Sequence, residues 1–178
     1  MKAREAVESF TALQELHSHT PTQHNVITRK RKPMPFFDTQ SREQLRRAYM
    51  DAWRKHRERL PMEPLEAQIA EVIALHPEYH ATLEREEDAL NQDYSPESGQ
   101  SNPFLHMGLH LAVRDQIATD RPSGIRSAYE AIAASRSHAH EAEHMMIECL
   151  AEAIWESQRS GRPPDEQAYL ERLRRLAR

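Results

Sequence analysis

The sequence predicts an all-α protein, a compact bundle of about five helices without a β-sheet. Apolar residues recur at helical spacing in the long segments after residue 38, and the 178 residues include only four glycines. A protein with many tight turns uses more glycine, because several turn types need a positive φ. Charged residues make up 29% of the chain and hydrophobic residues 38%, which is typical of a small helical protein with long solvated faces.

Residues 1–33 differ in composition from the rest of the chain. They are rich in serine, threonine and histidine and end in the basic run Arg29–Lys32. We interpret them as a disordered tail or an over-extended gene start, with Met34 as the alternative initiator. Residues 34–178 are predicted to form a single helical domain, because one domain is the default at this length.

Helix start and stop signals divide the first half of this domain. The first predicted helix runs from Asp38 to about Arg59, and Pro64 opens the second. Pro77 biases the residue before it away from helical geometry and therefore interrupts the second helix. An acidic segment follows and leads into a predicted loop at Ser95–Gly99.

The second half of the domain is predicted to contain a helical hairpin and a closing helix. Asn102 caps the third helix and Pro103 takes its first position, and a turn at 120–124 ends it. A fourth helical stretch covers 125–160, either unbroken or interrupted near 135–137. The last helix is amphipathic and places four apolar residues inward: Tyr169, Leu170, Leu173 and Leu176.

Histidine spacing is the most informative feature of the chain. Eleven histidines placed at random would give about 0.6 pairs at i, i+4 spacing, yet the sequence has three: His76/His80, His106/His110 and His140/His144. Residues four apart on a helix share a face, so each pair can offer two imidazoles to one ion or one polar ligand. Pro77 weakens the first pair, because its members flank a predicted helix restart.

A metal or small-ligand site is predicted between the third and fourth helices. Projection at 100° per residue places five donor side chains on or beside the inward faces of these helices, whereas His138 projects outward. Imidazole and carboxylate suit a divalent ion such as zinc, iron or manganese, and helical bundles build such sites from facing helices. The predicted metal-site residues are His106, His110, His140, Glu143 and His144.

Helix length restricts how these residues meet. In an unbroken hairpin, His106 lies roughly 20 Å and His140 roughly 24 Å from the turn, so these two are expected to face each other. His110 lies roughly 14 Å and His144 roughly 30 Å from the same turn, so these two would not face each other. Four histidines around one ion therefore require a real break near 135–137 or ligands from other helices. The alternative is that His106 and His140 are core residues that hydrogen-bond to each other, to Glu143 or to carbonyls.

Charge and motifs exclude several classes of function. The formal net charge of −4 gives no global basic field, which disfavours nucleic-acid binding. Cys149 is the only cysteine, and no apolar stretch is long enough to span a membrane, so a cytoplasmic location is expected. The sequence has no glycine-rich phosphate loop and no nucleophile elbow, which favours a role without enzymatic catalysis.

A helical adaptor module is the competing hypothesis. It would bind a protein or RNA partner through basic helix faces, and a homo-oligomer is also left open. The first predicted helix offers Arg46, Arg47, Arg54, Lys55 and Arg57. The C-terminal helix offers Arg172, Arg174, Arg175 and Arg178.

Five segments of the chain carry a family resemblance: Ser41–Arg47, Pro64–Glu66, His76–His80, Asn102–His110 and His140–His144. Together they resemble one bacterial family, domain of unknown function 1841, over about residues 36–176. The resemblance implies a compact bacterial cytoplasmic protein without an established substrate, cofactor or partner. It also implies that residues 1–33 lie outside the domain.

Overall fold

A computed structural model describes residues 39–85, 89–90, 92, 94 and 101–177. The predicted tail 1–33, Met34 and the Ser95–Gly99 loop lie outside the described residues. The helices are α1 (Thr39–Arg57), α2 (Pro64–Ala74), α3 (His80–Leu83), α4 (Pro103–Thr119), α5 (Ile125–Ala134), α6 (Ala139–Ser160) and α7 (Glu166–Leu176), with a 3₁₀ turn at Pro77–Tyr79.

The all-α prediction is confirmed, since no described residue lies in a β-strand. The predicted number of about five helices is wrong, because seven α-helices are present among the described residues. Pro77 opens a 3₁₀ turn that separates α2 from the short α3, and the fourth predicted stretch is divided into α5 and α6. None of the helices in the described ranges combines the length and the apolar character needed to cross a bilayer.

The described residues fall into two compact units. The N-terminal unit contains α1 to α3 together with 89–90 and 92, and the C-terminal unit contains Tyr94 and α4 to α7. The single helical domain expected over residues 34–178 stays a prediction.

In the N-terminal unit, α1 packs against α2 and α3. Tyr49, Ala52 and Trp53 of α1 are buried, as the predicted apolar stripe requires, whereas Leu45 and Leu60 of the same predicted stripe are exposed. Pro64 occupies the first turn of α2, as expected. The interior of α2 is apolar: Ile69, Ala70, Val72 and Ile73 are buried.

Contrary to the prediction, Arg46 does not lie on an exposed basic face of the first helix. Its residue is only 5% exposed, and its guanidinium donates hydrogen bonds to the carbonyl oxygens of Ala89 (2.9 Å), Leu90 (2.9 Å) and Gln92 (3.0 Å). Arg46 therefore anchors a later segment of its own unit and is not a solvated surface charge.

The first histidine pair also bonds to backbone within this unit. His76 Nδ1 donates to the carbonyl oxygen of Val72 at 2.8 Å, and His80 Nε2 donates to that of Ile73 at 3.0 Å. Pro77 ends α2 and leaves carbonyl oxygens near its C-terminus without helical partners, and the two rings donate hydrogen bonds to them. This contact gives both histidines a structural role.

In the C-terminal unit, α4 packs against α6, and α7 packs against α5 and α6. Asn102 caps α4 as predicted, since its side chain accepts hydrogen bonds from the backbone N–H groups of Phe104 (3.1 Å) and Leu105 (3.2 Å). Apolar residues from all four helices form one core, which includes Leu109, Val113, Ile132, Met146, Leu150, Leu170 and Leu173.

The interruption between α5 and α6 is real. Helix α5 ends where the Ser135 hydroxyl donates to the carbonyl oxygen of Ile132 at 2.8 Å. His138 then has extended backbone dihedrals, with φ −140° and ψ 140°, and α6 begins at the next residue. The chain direction and the register of α6 are therefore set anew after the break.

Asp120 organises the turn between α4 and α5. It has a left-handed backbone with φ 52°, and its Oδ1 accepts hydrogen bonds from the N–H groups of Arg126 (3.0 Å) and Gly124 (3.1 Å). These backbone donors hold the pKa of the Asp120 carboxyl below its usual value of 3.8.

The lowered pKa of Asp120 predicts a pH dependence. Its contribution to the free energy of unfolding should be complete above the unfolded-state pKa and be lost as the pH falls through the lower folded-state pKa. In Asp120→Asn, an amide oxygen replaces the carboxylate as the acceptor, and asparagine tolerates a positive φ. The free energy of unfolding measured with urea should therefore fall less steeply below about pH 4 in this variant than in the unsubstituted protein. Parallel pH profiles for the two proteins would contradict this assignment.

Candidate metal centre

Four histidines meet where α4 and α6 run antiparallel. His106 Nε2 lies 3.2 Å from His144 Nε2, so one ring donates a hydrogen bond to the other. One turn further along α4, the ring of His110 stacks on that of His140 with centroids 4.9 Å apart and an interplanar angle of 12°. The His140 and His144 centroids are 4.3 Å apart. The two i, i+4 pairs therefore form a single imidazole cluster.

The cluster is built by helical spacing and lies at the edge of the core. His106 and His110 share the face of α4 that includes the buried Leu109 and Val113, and they are 8% and 0% exposed. His140 and His144 are half-buried on α6. The two imidazoles of α4 are thus buried, whereas the two of α6 are partly exposed.

Glu143 supplies a buried carboxylate beside these rings. Its Oε2 accepts a hydrogen bond from His110 Nδ1 at 2.8 Å, and Arg114 Nε donates to Oε1 at 3.0 Å and to Oε2 at 3.2 Å. Burial by itself would raise the pKa of Glu143, but the hydrogen bond from His110 and the charge of Arg114 outweigh it and hold that pKa below its usual value. Glu143 is therefore an anionic acceptor.

The spacing of the donor atoms suits a metal ion. One ligand atom from each of His106, His110 and His144 lies within 4.8 Å of the others, and the same holds for His110, His140 and Glu143. Nitrogens that bind one ion at about 2.0–2.1 Å lie roughly 3.0–3.4 Å apart. The Nε2 atoms of His106 and His144 already have this separation, at 3.2 Å. The remaining donor atoms lie within 4.8 Å of one another and would have to move closer to reach this separation.

Sulfur is not part of the cluster. Cys149 is the only cysteine of the sequence and lies in the apolar core with Tyr169 and Leu170. Burial, followed by the nearby charge of Glu152, raises the pKa of the Cys149 thiol to about 11. The donor set is therefore nitrogen and oxygen, without a thiolate.

The structure brings together all five residues predicted for the site, but in a different pairing. The unbroken hairpin led us to expect His106 opposite His140, whereas His106 meets His144 and His110 meets His140. The expectation is wrong because the break before α6 removes the constraint of the 120–124 turn. His138 is exposed, as its outward projection predicts.

Arg114 adjoins the candidate site through Glu143, and the sequence reasoning missed it. It follows His110 by four positions and thus extends the row formed by His106 and His110 along one face of α4. That spacing is the signal that points to it. Its partner, Glu143, lies on another helix and is separated from it by 29 positions in the chain.

The family model for Domain of unknown function (DUF1841) matches residues 41–175. The chain belongs to this family. The match confirms the resemblance drawn from the sequence segments and includes all five predicted site residues together with Arg114. No curated protein and no solved structure matches the chain. The DUF1841 description assigns no activity, so a functional argument has to start from the cluster itself.

Proposed function

We propose that the C-terminal unit binds one divalent transition-metal ion at the histidine cluster. The nitrogen donors are His106, His110 and His144, and His140 and Glu143 lie directly against them. The observation that supports this most is the 3.2 Å separation of the His106 and His144 Nε2 atoms, which equals the spacing of two nitrogens on one ion.

Burial would place an ion at this cluster where water is largely excluded. His106 and His110 are almost fully removed from water, and their rings lie against two further imidazoles. Removing polar rings from water costs free energy unless strong interactions replace the lost hydration. The hydrogen bonds to His144 and Glu143 replace it in the metal-free cluster, and a bound ion would exchange the His106–His144 hydrogen bond for two metal bonds.

The donor types indicate which ions fit. Imidazole suits zinc, iron, nickel and copper, whereas magnesium and calcium prefer shells of oxygen ligands. Of the three ions considered from the sequence, zinc and ferrous iron match a nitrogen-rich set better than manganese does.

The surface of α1 supports the adaptor hypothesis less than the histidine cluster supports metal binding. Arg46 is buried, and the other basic residues that were expected to form a basic face lie in ion pairs. These pairs are Arg47–Glu43, Arg54–Glu58, Lys55–Glu66 and Arg57–Glu84. At the C-terminal helix Arg172 pairs with Glu156 at 2.6 Å, and Arg178 lies outside the described residues. The basic residues of α1 are thus matched by acidic ones.

Calorimetric titration of untagged, metal-stripped protein with zinc tests the proposal. We expect one zinc per chain, and we expect the double variant His106→Ala, His144→Ala to lose at least about 100-fold in affinity because two donors are removed. His138→Ala is the matched control, since this exposed histidine precedes α6 and should leave binding unchanged. Zinc affinity that is absent in the unsubstituted protein, or retained in the double variant, would refute the proposal.

A further inference from the structure

We infer that Glu143 and Arg114 are a positioning pair for the metal centre and that neither binds the ion. Glu143 fixes the orientation and tautomer of His110, and Arg114 holds Glu143 in place. This inference rests on the proposed metal site. It assigns Arg114 a role at that site although Arg114 is not a ligand of the ion.

The contact between His110 and Glu143 determines which nitrogen faces the ion. The Nδ1–H of His110 donates a hydrogen bond to Glu143 Oε2 at 2.8 Å. A neutral imidazole with its proton on Nδ1 has its lone pair on Nε2. Because the His110 side chain is fully buried, this hydrogen bond also fixes the ring plane. A carboxylate that accepts the second N–H of a ligating histidine orients the ring and increases its basicity.

The position of Glu143 favours this role over ligation. It lies on the Nδ1 side of His110, whereas His106 and His144 present their Nε2 atoms to each other. Both Glu143 oxygens accept hydrogen bonds from Arg114 Nε. Binding the ion through a Glu143 oxygen would compete with these bonds and give the half-buried Arg114 guanidinium a weaker partner.

Arg114 acts through Glu143. Its side chain is 25% exposed and reaches across from α4 to α6, where its Nε lies 3.0 Å and 3.2 Å from the two carboxylate oxygens. The Nε–H that both oxygens share has a fixed direction in the guanidinium plane, whereas the ammonium of a lysine can rotate its three donors. Without this partner, the buried Glu143 would be less stable as an anion and free to rotate away from His110.

A double-mutant cycle with Co²⁺ as the probe tests this inference. The proteins are untagged and carry Glu143→Gln, Arg114→Met, both changes or neither. Glu143→Gln should weaken Co²⁺ binding about 10–100-fold, and Arg114→Met about 10-fold. Arg114→Met should cause little further loss once Glu143→Gln is present, because its effect passes through that side chain. The visible Co²⁺ spectrum should stay the same in all four proteins, since the donor atoms are unchanged.

Two further variants separate positioning from folding. Arg159→Met removes an exposed arginine of α6 roughly 22 Å along the helix from His144, and it should leave Co²⁺ affinity unchanged. Arg114→Lys keeps the charge and should show an affinity between those of Arg114→Met and the unsubstituted protein. It also keeps the test decisive if Arg114→Met does not fold.

The outcomes distinguish this inference from the proposed function. A changed Co²⁺ spectrum in Glu143→Gln would identify Glu143 as a ligand and overturn the positioning role while the metal site stands. Additive losses in the cycle, or unchanged affinity in both single variants, would overturn the role of Arg114. Absence of Co²⁺ and Zn²⁺ binding in the unsubstituted protein would instead refute the proposed function.

Discussion

Substituting Met146 by alanine is expected to lower the free energy of unfolding by about 3–5 kcal/mol. Met146 lies on α6 three residues beyond Glu143, is 0% exposed, and packs in the core that also contains Leu109 and Val113 of α4. Removing three heavy atoms there leaves a cavity that the helices can fill only in part. The change therefore weakens the packing that holds the histidine-bearing faces together.

Met145 provides the control for this prediction. It is the preceding residue and is only partly buried at the margin of the same core, so Met145→Ala should cost about 1 kcal/mol. Urea unfolding followed by Trp155 fluorescence in a Trp53→Phe background reports on the C-terminal unit. Equal losses at the two methionines would show that Met146 is not the packing residue described above.

Substituting Arg46 by methionine is expected to cost about 2–4 kcal/mol in the N-terminal unit. The change removes the donor shared by the carbonyl oxygens of Ala89, Leu90 and Gln92, and the bond to Ala89 is fully buried. A buried acceptor that loses its donor retains its desolvation cost, whereas methionine recovers only the apolar packing of the arginine stem.

Arg47→Met is the matched control for Arg46. Arg47 is the next residue along α1, and its side chain is 49% exposed and pairs with Glu43 four residues away. Such a pair contributes about 0.3–0.5 kcal/mol. Urea unfolding followed by Trp53 fluorescence in a Trp155→Phe background isolates this unit. A loss at Arg46 as small as that at Arg47 would show that the three carbonyl bonds do not stabilise it.

Local signals in the sequence predicted the helix boundaries well. Asn102 caps α4, Pro64 opens α2 and Pro77 interrupts the chain before α3, each through groups that are close in sequence. A cap or a proline acts on the adjacent turn, so its effect can be derived without knowing the rest of the fold.

The sequence indicated where the break before α6 could lie, but it did not show whether the helix is interrupted there. The segment from Ser135 to His138 has neither glycine nor proline, and its serines are compatible with a helix as well as with a break. The pairing of His106 with His144 depends on that break, because the register of α6 against α4 follows from tertiary packing. The sequence could therefore name the five side chains that form the cluster, whereas the pairing among them could not be derived.

The contacts of Arg46 and Arg114 were the other feature that the spacing of apolar and polar residues did not predict. Arg46 and Arg114 lie at positions where a helical projection allows a solvated residue, and each meets its partner from a distant part of the chain. The spacing of Arg114 after His110 marks the helix face on which it lies, but a single sequence contains no local mark of the partner that either arginine meets. Only Glu143 was singled out, because it lies between two histidines on the same helix.

The most direct test of the metal centre is zinc X-ray absorption on untagged protein after zinc loading and dialysis. We predict about one zinc per chain, with nitrogen neighbours at about 2.0 Å and the outer-shell scattering of three imidazole rings. Protein that retains no zinc, or a spectrum dominated by sulfur at about 2.3 Å, would contradict a centre formed by His106, His110 and His144.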